Sequence, residues 1–186
     1  VIDRLKHDPL LADTIGADRI GAVFRDSSGV MWVGTWGEGL ARHDPRTRAF
    51  RSLRFSPNRP DGLTQAAVVR AMEMRDGSIW VGTNGNGIDV LDRALHRVAS
   101  FRPDASDDGA LSDGAITCLA QADDGTIWVA TLNSSLHRMR LGTSRFERLP
   151  AANLPGGPIR TIAFGRDGTL WAGAAEGMAR IDPHTL

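Results

Sequence analysis

The sequence has little cysteine, little lysine and no long apolar run. Cys118 is the only cysteine among 186 residues, so no disulfide can form within the chain, and stability has to come from the packing of sheets. We expect Cys118 to be a small buried residue of an inner strand. No stretch has the character of a signal peptide or a transmembrane helix. Lys6 is the only lysine, which we interpret as a feature of genomic composition.

The chain also lacks a net charge and a helical pattern. Its 22 basic and 22 acidic side chains cancel, which removes the electrostatic reason to expect nucleic acid or an anionic membrane as a partner. No segment keeps an apolar period of about 3.6 residues over the length of a helix. Glycines interrupt the chain repeatedly. These features exclude a solenoid of helix pairs.

The sequence does contain one unit in four copies. The clearest copy is residues 75–87, RDGSIWVGTNGNG. Similar stretches occupy residues 27–39, 123–135 and 166–177. The central tryptophans are spaced 48, 48 and 43 residues apart: Trp32, Trp80, Trp128 and Trp171. A fixed period of this length is typical of stacked supersecondary units.

Each copy has the pattern of a β-hairpin. A glycine stands three residues before the tryptophan, and in three of the copies an aspartate precedes that glycine. Asp-Gly between apolar runs favours a tight turn, because glycine accepts a positive φ and aspartate tolerates it. The residues that follow, such as Ile79 and Val81, suit a half-buried strand.

Extending the pattern in both directions predicts four short antiparallel strands per period. The fold class is therefore all-β, a β-propeller built of four-stranded blades. Full blades are predicted at residues 20–55, 68–102 and 116–149, a partial blade at 159–186, and the outer strand of another blade within residues 1–8. We treat residues 1–186 as a single propeller domain or fragment. An apolar residue five positions before each blade is expected to pack a loop onto the sheet: Ile15, Leu63, Leu111 and Leu154.

The repeat resembles that of the two-component regulator propeller family. The resemblance is carried by residues 79–83 with Gly87, by residues 31–35 with Gly39 and Leu40, and by the inter-blade stretch 101–116. The third and fourth copies depart from the pattern at Ala130, Ser134, Ser135 and Ala174. The alternative is the aspartate box of sialidase-type propellers. That box has an extra residue between Asp and Gly and a preceding Ser, both of which are missing here.

The resemblance implies a function. In that family the propeller is the extracytoplasmic sensory part of a larger bacterial membrane protein, whose output domain is a histidine kinase or a diguanylate cyclase. It implies a periplasmic, non-catalytic sensor that binds a small molecule or glycan fragment, uses no cofactor and meets the membrane only through its parent protein. The alternatives are a scaffold for protein–protein interaction and a propeller lyase or sialidase-like hydrolase.

The count of strands fits more than one arrangement of the propeller ring. One opening strand, three full blades and three closing strands fit a closed four-bladed ring, two chains forming an eight-bladed ring, or an arc of a larger ring. Both ends of the chain look cut from a longer protein. Because isolated blades expose faces and edges, we expect self-association through blade edges.

A ligand site is expected on the face that carries the inter-blade loops and the turns between second and third strands. Trp36 and Glu38 place an aromatic side chain near an acid in one turn, with packing of Trp36 on a neighbouring loop as the alternative. Arg70 and Arg160 stand near the starts of inner strands, where a guanidinium can meet a carboxylate or sulfate of a ligand, or else a local acid. The full set of predicted ligand-binding residues is Trp36, Glu38, Arg70, Asn84, Asn133, Arg160 and Glu176.

Catalytic and metal sites are not predicted. The five histidines fall at different positions of the repeat and do not converge as a metal cage requires: His7, His43, His96, His137 and His184. No turn with a nucleophile and no glycine-rich phosphate loop occurs, because the glycines at 85 and 87 lie between strands and open no helix.

Overall fold

The computed structural model describes residues 4–11, 13–46, 49–56 and 58–183. These residues form fifteen strands and one short 3₁₀ helix, Ala151–Asn153. The strands are β1 (Ile20–Arg25), β2 (Met31–Thr35), β3 (Gly39–His43), β4 (Phe50–Leu53), β5 (Val68–Glu73), β6 (Ile79–Thr83), β7 (Ile88–Leu91), β8 (Arg97–Phe101), β9 (Ile116–Gln121), β10 (Ile127–Thr131), β11 (Leu136–Met139), β12 (Glu147–Arg148), β13 (Ile159–Phe164), β14 (Leu170–Ala174) and β15 (Gly177–Ile181). In the described part of the chain, no helix is long and apolar enough to cross a membrane.

The strands form four antiparallel sheets, each built from consecutive strands. Sheet 1 contains β1 to β4, sheet 2 contains β5 to β8, sheet 3 contains β9 to β12, and sheet 4 contains β13 to β15. The predicted all-β fold of four-stranded propeller blades is confirmed, and sheet 4 has three strands in the described residues. The opening strand was predicted at residues 1–5, of which residues 1–3 lie outside the described part. Residues 4–8 are described and contain no strand, so the strand stays a prediction.

The chain divides into two compact units. The first contains residues 1–84 and 89–100, with sheet 1 and most of sheet 2, and the second contains residues 85–88 and 101–186, with sheets 3 and 4. The single domain over residues 1–186 stays a prediction.

The turns between the first and second strands of the sheets follow from the Asp-Gly pairs. Gly77 and Gly125 have φ values of 82° and 87°, in the left-handed region that a side chain disfavours. The carboxylate of Asp124 accepts a hydrogen bond of 2.8 Å from the backbone N–H of Thr126. This bond closes the turn and sets the register of the strand that carries Trp128.

The core of the first unit lies between its two sheets. Trp32 on β2 is 1% exposed and packs with Val68, Ile79 and Leu91 of sheet 2. Leu63 belongs to the same cluster, so the loop before β5 is packed onto the sheet as predicted. Ile15 and Leu111 are also buried.

The core of the second unit repeats this arrangement. Trp128 on β10 is fully buried and packs with Ile159, Leu170 and Ile181 of sheet 4. Leu154 is partly buried against the cluster. Cys118 on β9 is free and buried in the same core, as predicted.

Candidate functional site

The second unit contains a cavity of about 400 Å³ beside sheet 3. Its walls come from the loop of residues 103–115, from the turn between β10 and β11, and from β11 and β12. It is lined by Asp104, Ala105, Asp107, Asp108, Ala110, Ser112, Asn133, His137 and Arg148. Its size falls in the range of small-molecule sites in proteins.

His137 forms the buried wall of the cavity. It lies on β11, where its residue exposure is 0%, and the side-chain hydroxyl of Ser112 lies 3.0 Å from its Nε2 atom. The backbone N–H of Ser112 donates to the same atom at 3.4 Å. Nε2 is therefore an acceptor, which places the proton of the neutral ring on Nδ1.

The imidazole is held in its neutral form. Burial, together with the smaller effect of the positive charge of the nearby Arg148, lowers the pKa of His137 to about 4. At neutral pH the ring carries no charge and is a weak base.

Asn133 connects the turn between β10 and β11 to the loop of residues 103–115 by hydrogen bonds. Its Oδ1 atom accepts a hydrogen bond of 2.7 Å from the hydroxyl of Thr131, and its backbone N–H donates to the carboxylate of Asp113 at 3.1 Å. Its Nδ2 atom donates to the hydroxyl of Ser112 at 3.3 Å. Ser134, which stands in place of a turn glycine, has a φ of 66°. Asn133 is exposed and positioned at the mouth of the cavity.

The loop side of the cavity is acidic. The side chain of Ser106 donates to Asp104 and lowers the pKa of that carboxyl group. The backbone N–H of Gly109 and the guanidinium of Arg145, which forms an ion pair with Asp107, lower the pKa of Asp107. The two carboxylates remain charged, and Asp104 is held by its own loop while Asp107 is also held by Arg145.

The first predicted site, at Trp36 and Glu38, is a turn whose side chains have local partners. The guanidinium of Arg19 lies 4.3 Å from the centroid of the half-buried Trp36 ring. Glu38 forms an exposed ion pair of 3.3 Å with Arg54. Trp36 thus meets a side chain from the loop before β1, which is the packing that we gave as the alternative to ligand binding.

Arg70 and Asn84 also lie in the first unit. Arg70 is half-buried on β5, and its guanidinium donates a hydrogen bond of 2.7 Å to the carbonyl of Val69. Asn84 is exposed after β6, where its carbonyl accepts a bond of 2.9 Å from Gln65.

Arg160 and Glu176 lie in the second unit, outside the lining of the cavity. Both are exposed, and the backbone N–H of Glu176 donates 3.1 Å to the carbonyl of Gly156. Of the seven predicted residues, Asn133 alone lines the cavity. A role in ligand binding stays a prediction for all seven.

His137 and Arg148 were missed by sequence reasoning, although the repeat contains a signal for His137. The residue that follows the first large apolar residue of the third strand is Ala41 in sheet 1 and Ala179 in sheet 4, but Asp89 in sheet 2 and His137 in sheet 3. A polar residue at a position that is otherwise small and apolar marks a place where a loop residue has to provide a partner.

The Ser112 hydroxyl and the His137 ring have the separation of a nucleophile and its base. A catalytic pair needs a third group to orient the base. The Nδ1 atom of His137 has no hydrogen-bond partner within the described residues, so this third group is missing. In the described ranges, no three His, Cys, Asp or Glu side chains cluster closely enough to hold a metal ion.

Comparison with known families matches two parts of the chain. The model described as two component regulator propeller matches residues 14–37 and 110–133, which lead into and include strands of sheets 1 and 3. No curated protein matches the chain.

Solved structures of β-propeller proteins have the same fold. The extracellular domain of the proposed hybrid two component system BT3049 from B. thetaiotaomicron is 22% identical, with a TM-score of 0.83, and the match covers 97% of this chain and 24% of that one. The corresponding domain of BT4673 from the same organism is 23% identical, with a TM-score of 0.76 and coverage of 91% and 24%. The chain thus spans about a quarter of each relative.

A propeller enzyme is also similar. A catalytically inactive variant of virginiamycin B lyase from Staphylococcus aureus is 17% identical, with a TM-score of 0.67, and the match covers 89% of this chain and 53% of that one. The same fold occurs in these extracellular domains and in this enzyme, so the likeness shows the fold alone. The chain is built from four propeller-type sheets, and residues 14–37 and 110–133 match the two-component regulator propeller family.

Proposed function

We propose that the chain is part of the sensory β-propeller of a bacterial membrane signalling protein and that it lies outside the cytoplasm. The observation that carries this proposal is the pair of regulator-propeller repeats in sheets 1 and 3. The two relatives from B. thetaiotaomicron are extracellular domains of proteins proposed to be hybrid two component systems, which supports the same location and role.

The sensor binds a small molecule or glycan fragment on its loop side and leaves it chemically unchanged. The cavity beside sheet 3 supports this, because it is bordered by an inter-blade loop and by the Asn133 turn. The absence of an orienting acid at His137 in the described residues supports a binding role rather than a catalytic one.

The test is a panel of neutral and acidic oligosaccharides, amino acids and short peptides added to the 186-residue chain, with thermal unfolding and then calorimetry as readouts. A ligand that binds only the folded state stabilises it by about 2.7 kcal/mol at a concentration of 100 times its Kd. We expect at least one compound to raise Tm and to be recovered unchanged. No shift with any compound would contradict ligand binding, and conversion of the compound would contradict the non-catalytic role.

Two variants test whether the compound binds in the cavity beside sheet 3. Asn133→Ala removes an exposed amide at the mouth of the cavity and is expected to weaken the binding of the compound found. Asn58→Ala is the matched control, because Asn58 is an exposed residue of the first unit and does not line the cavity. An equal effect of both variants would place the ligand elsewhere.

An interaction scaffold is the second candidate. Trp171 and Met178 of sheet 4 are 37% and 69% exposed, which leaves an apolar face for contact with another protein. This function would be favoured if no small compound bound and if substitution of these residues changed the behaviour of the chain in solution.

A further inference from the structure

At one equivalent position of the third strand, sheets 2 and 3 use different side chains to bind the loop that precedes the sheet. In sheet 2 the Oδ2 atom of Asp89 accepts a hydrogen bond of 2.8 Å from the backbone N–H of Thr64, and its Oδ1 atom accepts one of 3.0 Å from the hydroxyl of Thr64. In sheet 3 the equivalent residues are His137 and Ser112. A carboxylate accepts both bonds with two oxygens, whereas the imidazole accepts both with Nε2 alone.

Because sheet 3 has His where sheet 2 has Asp, one buried hydrogen-bond donor of the ring has no acceptor. Because Nε2 accepts, Nδ1 carries the proton, and in the described part of the chain Nδ1 has no hydrogen-bond partner. A buried donor without an acceptor is destabilising, because it loses its bond to water and gains none in the protein. His137 is fully buried and forms part of the cavity wall, so the wall contains a neutral polar side chain beside the charged ones.

Two charged side chains of the cavity are also without partners. Arg148 and Asp108 are exposed and, within the described ranges, form no hydrogen bond or ion pair. Asp107, in contrast, is bound by Arg145. The cavity therefore presents one available cation and at least one available anion to the same ligand.

We propose that this cavity binds a small zwitterion of the amino-acid or short-peptide class, with its carboxylate on Arg148 and its ammonium group on Asp108. The inference rests on the proposed function and specifies its ligand. A guanidinium binds a carboxylate through paired hydrogen bonds, which makes arginine well suited to this contact.

Other ligand classes fit less well. A simple anion would pair with Arg148 but would face Asp104 and Asp108 across the same cavity. A simple cation would leave Arg148 without a partner. A neutral sugar would leave both charges unpaired while displacing the water that solvates them, and charged groups are costly to bury unpaired.

The experiment uses L-alanyl-L-alanine and two derivatives in calorimetric titrations of the whole chain. Dialaninamide lacks the carboxylate, and N-acetyl-dialanine lacks the ammonium group. We expect each derivative to bind at least tenfold more weakly than dialanine, since loss of one charge-assisted contact of about 1.5–3 kcal/mol corresponds to a factor of ten or more.

Variants assign each charge to its partner. Arg148→Gln should weaken dialanine binding at least tenfold and cause no further loss for dialaninamide, because the contact is already absent there. Asp108→Asn should behave in the same way with N-acetyl-dialanine. Arg166→Gln is the matched control, since Arg166 is an exposed arginine of the same unit that does not line the cavity. Thermal unfolding checks that every variant is folded.

The outcomes separate the two proposals. Binding of dialanine that depends on Arg148 and on the free carboxylate supports the zwitterion site. If dialanine does not bind while another compound of the panel does, the ligand class is wrong and the sensor proposal stands. If nothing binds, both are overturned. Equal losses in the Arg148 and Arg166 variants would show a non-specific effect of charge and would overturn the site.

Discussion

At the scale of single residues, His137 is the side chain whose environment differs most from water. It is fully buried, its Nε2 atom is committed to Ser112, and protonation would place a positive charge in the core near Arg148. The other titratable groups that line the cavity beside it are Asp104, Asp107 and Asp108. The folded state therefore resists protonation of this ring more than the unfolded chain does.

This predicts a loss of stability in mild acid. The pKa of His137 is lowered from 6.5 to about 4 on folding. Between these values the unfolded state binds one more proton than the folded state, so the free energy of unfolding falls as pH decreases. We expect a loss of about 2–3 kcal/mol between pH 7 and pH 4.5 in urea unfolding, at 1.36 kcal/mol for each unit of pKa shift.

Two measurements check the cause. His137→Gln should remove most of this pH dependence, and an NMR titration of the His137 ring protons reports its pKa in the unmodified chain. A ring that titrates near pH 6.5 would show that burial does not control its protonation. The carboxyl groups whose pKa is lowered, such as those of Asp104 and Asp167, contribute mainly below pH 4.5, because their unfolded value is 3.8.

At the scale of elements, the tryptophan of each second strand has a role that depends on its sheet. Trp128 on β10 is fully buried against sheet 4, whereas Trp171 on β14 is 37% exposed. The two residues occupy the same position of the repeat and the same unit. The sequence pattern alone predicts equal burial for the two tryptophans, but only Trp128 has a packed sheet over its ring.

We therefore expect unequal costs for the same substitution. Trp128→Ala should lower the free energy of unfolding by about 3–5 kcal/mol, the usual range for a buried aromatic residue. Trp171→Ala should cost about 1 kcal/mol or less, because much of its surface is already in contact with water. Urea unfolding of both variants measures the difference, and equal losses would mean that the Trp171 ring is covered in solution.

At the scale of the whole molecule, the exposed apolar residues favour contact with other copies. In sheet 4 these are Trp171 and Met178, and in sheet 1 Ile20 and Val23 are 40% and 58% exposed. Large exposed apolar residues on sheet faces favour association.

We propose that the chain self-associates, and light scattering coupled to size exclusion over a wide concentration range measures it. The expected mass exceeds the 20.0 kDa of one chain and rises with concentration. Trp171→Asp should reduce the association, whereas Leu141→Asp, at a residue that is 76% exposed near the turn after β11, should not. A mass of one chain at every concentration would contradict the proposal.

The sequence by itself determined the strands, the turns and the family. The tryptophan period predicted four-stranded sheets, because a strand–turn–strand unit depends on local φ preferences and on alternation of apolar side chains. The Asp-Gly pairs predicted turns with positive φ, which Gly77 and Gly125 have. These properties are encoded within about ten residues and survive changes in loop length.

The tertiary structure alone decided which polar residues meet. Asn133 was predicted from its turn, but its companions in the cavity, His137 and Arg148, come from two other strands, and Asp108 comes from a loop. Their approach depends on how a loop of the chain folds back over the sheet, and no local preference reports that. The burial of Trp128 and the exposure of Trp171 have the same origin, because a side chain is buried by what packs over it and not by its own sequence position.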